Sequence, residues 1–265
     1  MSLVEARYVP YEACTTLGTG PALVFAPHPD DEVFGCAGAI ISHVTQGDPV
    51  KVIVATRGDW GGGDAQVNVR QAESRAAAEV LGYSALDFWD WPDRGLEAGE
   101  ALREQIRAAI EAWQPAWVYA PSWWEVHPDH TALSQAVTAV LQAQSSPAQL
   151  VLYEVGVPLQ PNRLLDITPV LGQKQAAMRC FVSQLQARAY DRHVLALNQF
   201  RSYTLPETVE AAEAYRCVEV AGLSAIPPAP LMLDQADDPT PRQAAAGGLG
   251  CAAWFRRLWR VKPNR

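Results

Sequence analysis

The spacing of apolar residues predicts strands and helices in alternation along the first part of the chain. Two short apolar runs, residues 22–26 and 50–55, predict buried strands, since such runs are too short for helices. The first run stops at Pro27, which marks the start of a loop. Between the two runs, small and apolar residues recur at helical spacing from Phe34 until Gly47 ends the predicted helix.

The same alternation continues to residue 154. The further predicted elements are a helix closed by Gly82, strands over 85–89, 116–120 and 149–154, and helices over 97–113 and 131–142. This order predicts an α/β fold in a single domain, with a mostly parallel sheet flanked by helices. Ligands of such sheets bind beyond the carboxyl ends of the strands.

Beyond residue 160 the pattern weakens, and only a helix near 169–185 is predicted. Residues 1–222 are interpreted as the folded domain, and 223–265 as a proline-, alanine- and glycine-rich linker with a basic amphipathic tail, expected to be flexible. If the tail forms a helix, Trp254, Leu258 and Val261 lie on one side of it and its arginines on the other. A helix with this distribution is predicted to contact a membrane surface weakly. A solvated tail, or a helix docked on the body, is the alternative.

Charge and cysteine content narrow the class of partner. A formal net charge of −8 disfavours nucleic acid, because phosphate binding depends on lysine and arginine. Five cysteines without a CxxC pair indicate free thiols, and residues 1–20 contain no long apolar run. We expect a cytoplasmic protein, at most peripheral to the inner face of the membrane, that acts on a small molecule. The sequence leaves a homo-oligomer open.

Two motifs carry the candidate chemistry. Residues 27–32 (PHPDDE) follow the first predicted strand, and residues 127–130 (HPDH) follow the fourth. Both loops lie at the carboxyl edge of the predicted sheet, so they can converge on one site. His43 and His193 stand outside the motifs and are interpreted as ordinary core or surface residues.

The residue types in these motifs are those of a metal-dependent hydrolase. A catalytic zinc ion typically takes three protein ligands and keeps a fourth position for water. Three residues can supply these ligands: His28, Asp31 and His130. Asp30 then remains as the general base for water, and His127 as the group that stabilises the oxyanion or protonates the departing amine. Asp129 is expected to orient His127.

The two motifs resemble those of the LmbE-like, or PIG-L, family of metal-dependent N-acetylglucosaminyl deacetylases, and further similar segments spread over residues 22–220. The resemblance implies a Rossmann-like sheet and removal of an N-acetyl group from an amino sugar or a related small molecule. It implies the same ligands, the same base and the same role for His127. Where the family often has a histidine before a Ser-Gln pair, this chain has Phe181 or Val182, so no catalytic role is expected there.

Substrate-binding residues are less sharply indicated. Arg70 is expected to line the site and pair with a carboxylate such as Asp30, or else to form a surface pair with Glu73. A sugar-stacking rim is expected from tryptophans 60, 91, 123 and 124, with Trp123 and Trp124 favoured because they precede the second motif. Core packing is the alternative for each.

Two other functions are compatible with residues of these types. Two histidines and a carboxylate also describe the facial triad of non-haem iron oxygenases, although those enzymes resemble a β-barrel in fold. A metal- or carbohydrate-binding module without catalysis is the other alternative, but it would be expected to lose Asp30 or His127. Zinc is the predicted metal, with iron(II) or another divalent ion left open.

Overall fold

The computed structural model describes residues 9, 11–59, 63–83, 85–144 and 146–220. The strands are β1 (Glu12–Cys14), β2 (Ala22–Ala26), β3 (Val50–Thr56), β4 (Ala85–Trp91), β5 (Trp117–Pro121), β6 (Gln149–Tyr153), β7 (Arg163–Asp166) and β8 (Ala212–Val218). The α-helices are α1 (Asp31–Thr45), α2 (Gly63–Leu81), α3 (Glu100–Trp113), α4 (Pro128–Gln144), α5 (Leu171–Met178), α6 (Val182–Ala187) and α7 (Tyr190–Arg201). The tail predicted for residues 223–265, with its membrane contact, lies outside the described residues.

One sheet holds these strands in the order β1-β7-β8-β6-β5-β2-β3-β4. Neighbouring strands are parallel, except that β8 runs antiparallel to both β6 and β7. The predicted α/β class, with a mostly parallel sheet and flanking helices, is confirmed. Within the described part of the chain, no helix has the length and apolar character needed to cross a membrane.

Helices cover both faces of the sheet at β2. Val24 packs in a cluster with residues of α1, α2 and α5, whereas Leu23 and Phe25 pack with residues of α3 and α4. Every residue of β2 is buried. Burial on both faces explains why this strand is an unbroken apolar run in the sequence.

Helix α1 is interrupted near its start by two side chains from distant elements. Cys36 has non-helical angles, with φ −144° and ψ 26°. In a regular helix the Gly38 N–H would donate to the Phe34 carbonyl. Here the Lys174 ammonium donates to that carbonyl at 3.1 Å, and the Gly38 N–H donates to a carboxylate oxygen of Glu213 at 2.9 Å. A buried ion pair therefore replaces a helical hydrogen bond close to the first turn of α1.

The C-terminal part departs most from the sequence prediction. The single helix predicted over 169–185 is a 3-10 turn (Thr168–Val170) followed by α5 and α6. The backbone turns between the two helices so that Phe181 is fully buried, with its ring 5.8 Å from that of Phe34. Elsewhere the differences are small, since β4 extends to Trp91 and α3 begins at Glu100.

Candidate active site

Two loops bring the candidate residues together at the carboxyl edge of the sheet. β2 leads through residues 27–30 into α1, and its neighbour β5 leads through residues 122–127 into α4. Since α1 and α4 cover opposite faces, a crevice opens between the loops, as at the switch point of other open α/β sheets. The ring centroid of His28 lies 4.6 Å from that of His127 and 5.3 Å from that of His130.

Asp31 lies between two imidazoles. Its Oδ2 is 3.1 Å from Nδ1 of His28 and 3.2 Å from Nε2 of His130. Donor atoms about 2.0 to 2.2 Å from one tetrahedral ion are separated by roughly 3.3 to 3.6 Å, so Oδ2 of Asp31 lies close to ligand-to-ligand spacing from each of the two ring nitrogens. All three residues are buried. The imidazole and carboxylate donors thus fit a divalent metal ion such as zinc or iron(II).

The second ring nitrogen of each histidine faces a carboxylate. Nε2 of His28 lies 3.0 Å from Oδ2 of Asp129 and 3.2 Å from Oδ1 of Asp93. Nδ1 of His130 lies 3.5 Å from Oε2 of Glu125. Carboxylates in this position fix the ring orientation and raise the basicity of a ligating histidine. The arrangement leaves Nδ1 of His28 and Nε2 of His130 as the donors to an ion.

Other donor groups also lie within metal-binding reach of one another. One nitrogen each of His28, His127 and His130 fall within 4.8 Å, as do single atoms of His28, Asp93, His127 and Asp129. In the second group, the carboxylate of Asp129 already accepts the N–H groups of Arg94 and Leu96 at 2.6 and 3.0 Å. Because the Asp129 carboxylate is already hydrogen-bonded in this way, we interpret it as a support for the His28 ring and not as a direct metal ligand.

The carboxylate of Asp129 lies against His28 and not against His127, the histidine expected from the sequence. The sequence predicted that it orients His127, but Nδ1 of His127 is 3.9 Å from the nearest Asp129 carboxylate oxygen. That nitrogen instead accepts the backbone N–H of Asp129 at 3.3 Å, which leaves the proton of a neutral ring on Nε2. Burial and the neighbouring His28 and His130 lower the pKa of His127 to about 4, so its ring is neutral at neutral pH.

Asp30 is held in an unusual backbone conformation beside the cluster. Its φ is 124°, in the region that favours glycine. Its N–H donates to Oε2 of Glu32 at 3.0 Å. Burial raises the pKa of Asp30 to about 7, against the opposing effect of the Arg70 guanidinium. A carboxylate with a pKa near neutrality is suited to accept and then release a proton.

Arg70 reaches the loop that holds Asp30. Its Nη2 lies 3.2 Å from Oδ2 of Asp30 and donates to the Pro29 carbonyl at 2.7 Å. Of the two predicted arrangements for Arg70, the structure has the pairing with Asp30. Glu73 instead accepts the N–H and the hydroxyl of Ser183, each at 2.7 Å.

A cavity of about 520 Å³ opens over these residues. Its inner end is formed by the motif residues together with Arg70, Asp93 and Glu125. Its far wall comes from α6, α7 and the segment between them, and contains Gln184, Arg188, Tyr190, His193 and Val194. The volume exceeds what a metal ion and an acetyl group need, so the cavity has room for a larger substrate.

The structure does not bring the predicted tryptophans to this cavity. Trp123 is 3% exposed and donates its indole N–H to the Thr138 hydroxyl at 2.9 Å, so it belongs to the core. Trp124 packs beside the Arg216 guanidinium and does not line the cavity either. Trp91 donates to Gln105, and Trp60 lies outside the described residues. Trp123 and Trp124 therefore do not form the expected sugar-stacking rim of the cavity.

Several cavity residues were missed in the sequence. Asp93 follows β4 and Glu125 follows β5, at the same sheet edge as the two motifs. The rule that located the motifs, a polar residue directly after a parallel strand, would also have found both. His193, interpreted as an ordinary residue, lies on the cavity wall. No motif marks it, because α7 reaches the cavity only through tertiary packing.

Comparisons with known proteins agree with the motifs and the fold. Residues 23–141 match the PIG-L family, described as GlcNAc-PI de-N-acetylase. A 4-oxalmesaconate hydratase of Pseudomonas putida is 30% identical over 190 residues, which cover 62% of this chain and 73% of the relative. The "Probable N-acetyl-alpha-D-glucosaminyl L-malate deacetylase 2" of Bacillus cereus is 27% identical over 197 residues, which cover 67% of this chain and 89% of the relative.

A solved structure shows the same fold. N,N'-diacetylchitobiose deacetylase from Pyrococcus horikoshii superposes with a TM-score of 0.67 at 22% identity, over 76% of this chain and 84% of that chain. The match to the family spans both motifs, residues 27–32 and 127–130. The chain therefore belongs to the PIG-L (LmbE-like) family.

Proposed function

We propose that this chain is a metal-dependent N-deacetylase, with zinc as the metal, that hydrolyses the amide of an N-acetylated amino sugar or a related small molecule. The observation that carries the proposal is the position of Asp31 Oδ2 between the ring nitrogens of His28 and His130, beside Asp30 and within an open cavity. The family description and the Bacillus cereus relative both name the removal of an acetyl group from N-acetylglucosamine conjugates.

The ligand set is proposed to be His28, Asp31 and His130. A divalent ion held by these residues would polarise the amide carbonyl and would lower the pKa of water toward about 7. Asp93, Asp129 and Glu125 support the two histidines from behind.

Asp30 is the proposed general base. Its carboxylate takes a proton from the water whose oxygen attacks the amide carbon, while Arg70 holds the carboxylate in position. The same proton then passes to the amine nitrogen as the carbon–nitrogen bond breaks. The products are acetate and a free amine, so the atoms balance without a further reactant.

His127 is proposed to stabilise the developing oxyanion. The Asp129 N–H occupies its Nδ1, so the neutral ring presents Nε2–H to the cavity side of the cluster. Donors of this kind, fixed before the reaction, typically change the rate by about 10² to 10³. A low pKa fits a neutral hydrogen-bond donor better than an imidazolium acid.

A second candidate function is addition of water to the carbon–carbon double bond of an unsaturated polycarboxylate. The observation that favours it is the Pseudomonas putida hydratase, which has 30% identity to this chain. The same base and metal could activate water for attack on a carbon–carbon double bond. The two functions differ in their products, since only the deacetylase releases acetate.

Acetate release from a panel of N-acetylglucosaminyl conjugates, together with metal analysis, tests the proposal. We expect about one metal ion per chain, and loss of that ion in His130→Ala. Asp30→Asn and His127→Ala should keep the ion, with turnover reduced about 10²- to 10⁴-fold for Asp30→Asn. Asp64→Asn, at an exposed carboxylate, serves as the control.

The outcomes separate the two candidates. Acetate release that depends on Asp30 supports deacetylation. Loss of ultraviolet absorbance from an unsaturated polycarboxylate, with no acetate from any conjugate, would instead support the hydratase. Wild-type turnover by Asp30→Asn would mean that the base is wrongly assigned.

A further inference from the structure

We propose that Glu32 is a positioning residue for the reaction: its carboxyl group holds the backbone of Asp30 in the strained conformation that directs the Asp30 carboxylate into the cavity. The inference rests on the proposed role of Asp30 as general base and adds a residue that lies outside the cavity. Glu32 does not contact the substrate, because it does not line the cavity and is 0% exposed.

The backbone of Asp30 needs support from its surroundings. Its φ of 124° and ψ of −31° lie in a region that residues with a Cβ atom rarely adopt. Such conformations persist only where neighbouring groups hold them in place. A continuous helix would provide part of this support, but α1 is interrupted at Cys36, one turn after its start. The contacts of the first turn therefore decide where Asp30 lies.

Hydrogen bonds hold the peptide groups on both sides of the Asp30 Cα atom. On the C-terminal side, the Asp30 carbonyl accepts the N–H groups of Val33 and Phe34 at 3.0 and 2.9 Å. On the N-terminal side, the Asp30 N–H donates to Oε2 of Glu32 at 3.0 Å. The orientations of these two peptide groups set the φ and ψ angles of Asp30. Loss of the contact to Glu32 would therefore free one side of the residue to rotate.

Arg70 supports the same peptide group in a different way. It donates to the Pro29 carbonyl at 2.7 Å and also lies 3.2 Å from Oδ2 of Asp30. A change at Arg70 would remove a cation from the base as well as a backbone contact. A change at Glu32 leaves the ion pair of the Asp30 carboxylate in place, so Glu32 is the better position at which to test the backbone contact.

The hydrogen bond to Asp30 also explains why this buried position carries a carboxyl group. Burial of a polar group is unfavourable unless a hydrogen bond compensates for it. Oε1 of Glu32 has no hydrogen-bond partner among the described residues, so the contact made by Oε2 provides the compensation. An apolar side chain of similar size would fill the same space without this cost. Packing alone therefore does not account for Glu32.

Two substitutions separate the hydrogen-bond acceptor from the packing. Glu32→Gln keeps an oxygen that can accept the Asp30 N–H, whereas Glu32→Met fills the space without an acceptor. In Glu32→Met we expect kcat for acetate release to fall about 10- to 100-fold, because a displacement of about 1 Å can cost about 10²-fold. The KM and the bound metal should stay close to those of the wild type. Glu32→Gln should recover most of kcat.

The Asp30→Asn background shows whether Glu32 acts through the base. Glu32→Met should cause no further loss of turnover there, since the group that it positions is already inactive. A merely structural role would lower turnover by the same factor in both backgrounds, and that result would overturn the inference. Wild-type kcat in Glu32→Met, or equal losses in Glu32→Gln and Glu32→Met, would overturn it as well.

Asp166 offers a matched control for these substitutions. Its carboxylate accepts the N–H of Thr168, also two residues away, at 2.9 Å, and Asp166 does not line the cavity. Asp166→Leu thus removes the same kind of contact away from the base. We expect this variant to keep the wild-type kcat and KM. A loss of kcat as large as that in Glu32→Met would contradict a specific role for Glu32.

Hydrogen exchange at the Asp30 amide separates this inference from the proposed function, because it needs no substrate. In the metal-loaded protein this amide should be protected in the wild type and in Glu32→Gln. It should exchange at least about tenfold faster in Glu32→Met. If the wild type releases no acetate from any conjugate while exchange follows this order, deacetylation fails and the support of Asp30 by Glu32 stands. An unprotected Asp30 amide in the wild type, or equal exchange in the wild type and Glu32→Met, would overturn the inference.

Discussion

The ammonium of Lys174 lies 2.7 Å from a carboxylate oxygen of Glu213, and the two side chains are 0% and 1% exposed. Lys174 belongs to α5 and Glu213 to β8, so the pair connects two elements that are far apart in sequence. Both side chains form hydrogen bonds with backbone groups of α1 at its interruption. Glu213 also accepts the N–H of Ala39 at 3.2 Å and a hydrogen bond from the Tyr215 hydroxyl. This pair holds the two segments of α1 together.

Removing one partner of this pair should destabilise the fold strongly. We expect Lys174→Met to lower the free energy of unfolding by about 3 to 5 kcal/mol, because Glu213 would remain buried and uncompensated. Urea denaturation measures the change. Lys51→Met breaks a half-exposed pair with Asp87 and should cost less than about 1 kcal/mol. Similar losses in the two variants would contradict this account of the buried pair.

Replacing Gly35 by alanine should also destabilise the protein, through steric overlap. A Cβ atom at Gly35 would lie 2.3 Å from Cδ2 of Tyr153, whose hydroxyl is tied to the Phe25 carbonyl. We expect Gly35→Ala to cost about 1 to 3 kcal/mol in chemical denaturation. At Gly172 in α5 a Cβ meets nothing within 4 Å, so Gly172→Ala should be neutral or stabilising by about 0.5 to 1 kcal/mol. An equal cost at both glycines would exclude overlap as the cause.

Glu125→Gln should weaken metal binding without removing a proposed ligand. The Glu125 carboxylate is anchored by backbone N–H groups and faces Nδ1 of His130 at 3.5 Å. Loss of such support typically reduces metal affinity about 10- to 100-fold. Competition with a chromophoric chelator measures the affinity, and the exposed Glu100→Gln provides the control. Unchanged affinity in Glu125→Gln would show that Glu125 does not support the ligand.

His43 should contribute to the pH dependence of stability. Nδ1 of His43 lies 2.9 Å from Asp48 and Nε2 lies 2.8 Å from the Tyr119 hydroxyl. Burial lowers the pKa of His43, and Asp48 opposes only part of that shift. The unfolded chain, with a histidine pKa of about 6.5, therefore binds this proton at higher pH than the folded chain. The contribution to stability is present above about pH 6.5 and is lost as the pH falls below that value.

Denaturation of His43→Gln between about pH 7.5 and 5 tests this sign. We expect the variant to lose less unfolding free energy than the wild type over this range, whatever its stability at pH 7.5. A wild-type slope in His43→Gln would show that His43 does not titrate differently on folding.

The sequence was informative where a residue's environment depends on its near neighbours. The apolar run of β2 and the loop before Asp31 could be located because a strand buried on both faces and a polar turn have local signatures. The position of Trp123 could not be predicted in this way, because a tryptophan next to a motif has the same sequence neighbours whether its indole lies in the core or at the rim of the cavity. The break at Phe181 and the reversed β8 also depend on long-range packing, which overrides helical and strand periodicity.

The distance along the chain between the motifs and their supports sets an order of assembly during synthesis. His28 and His130 leave the ribosome well before Lys174 and Glu213, which complete α1, and β8 must still insert between β6 and β7. Contacts between residues this far apart in sequence form late, because closing the long loop between them costs conformational entropy before the contact can stabilise the chain. A nascent chain thus contains all its motif residues for many seconds before its fold can hold them in working positions.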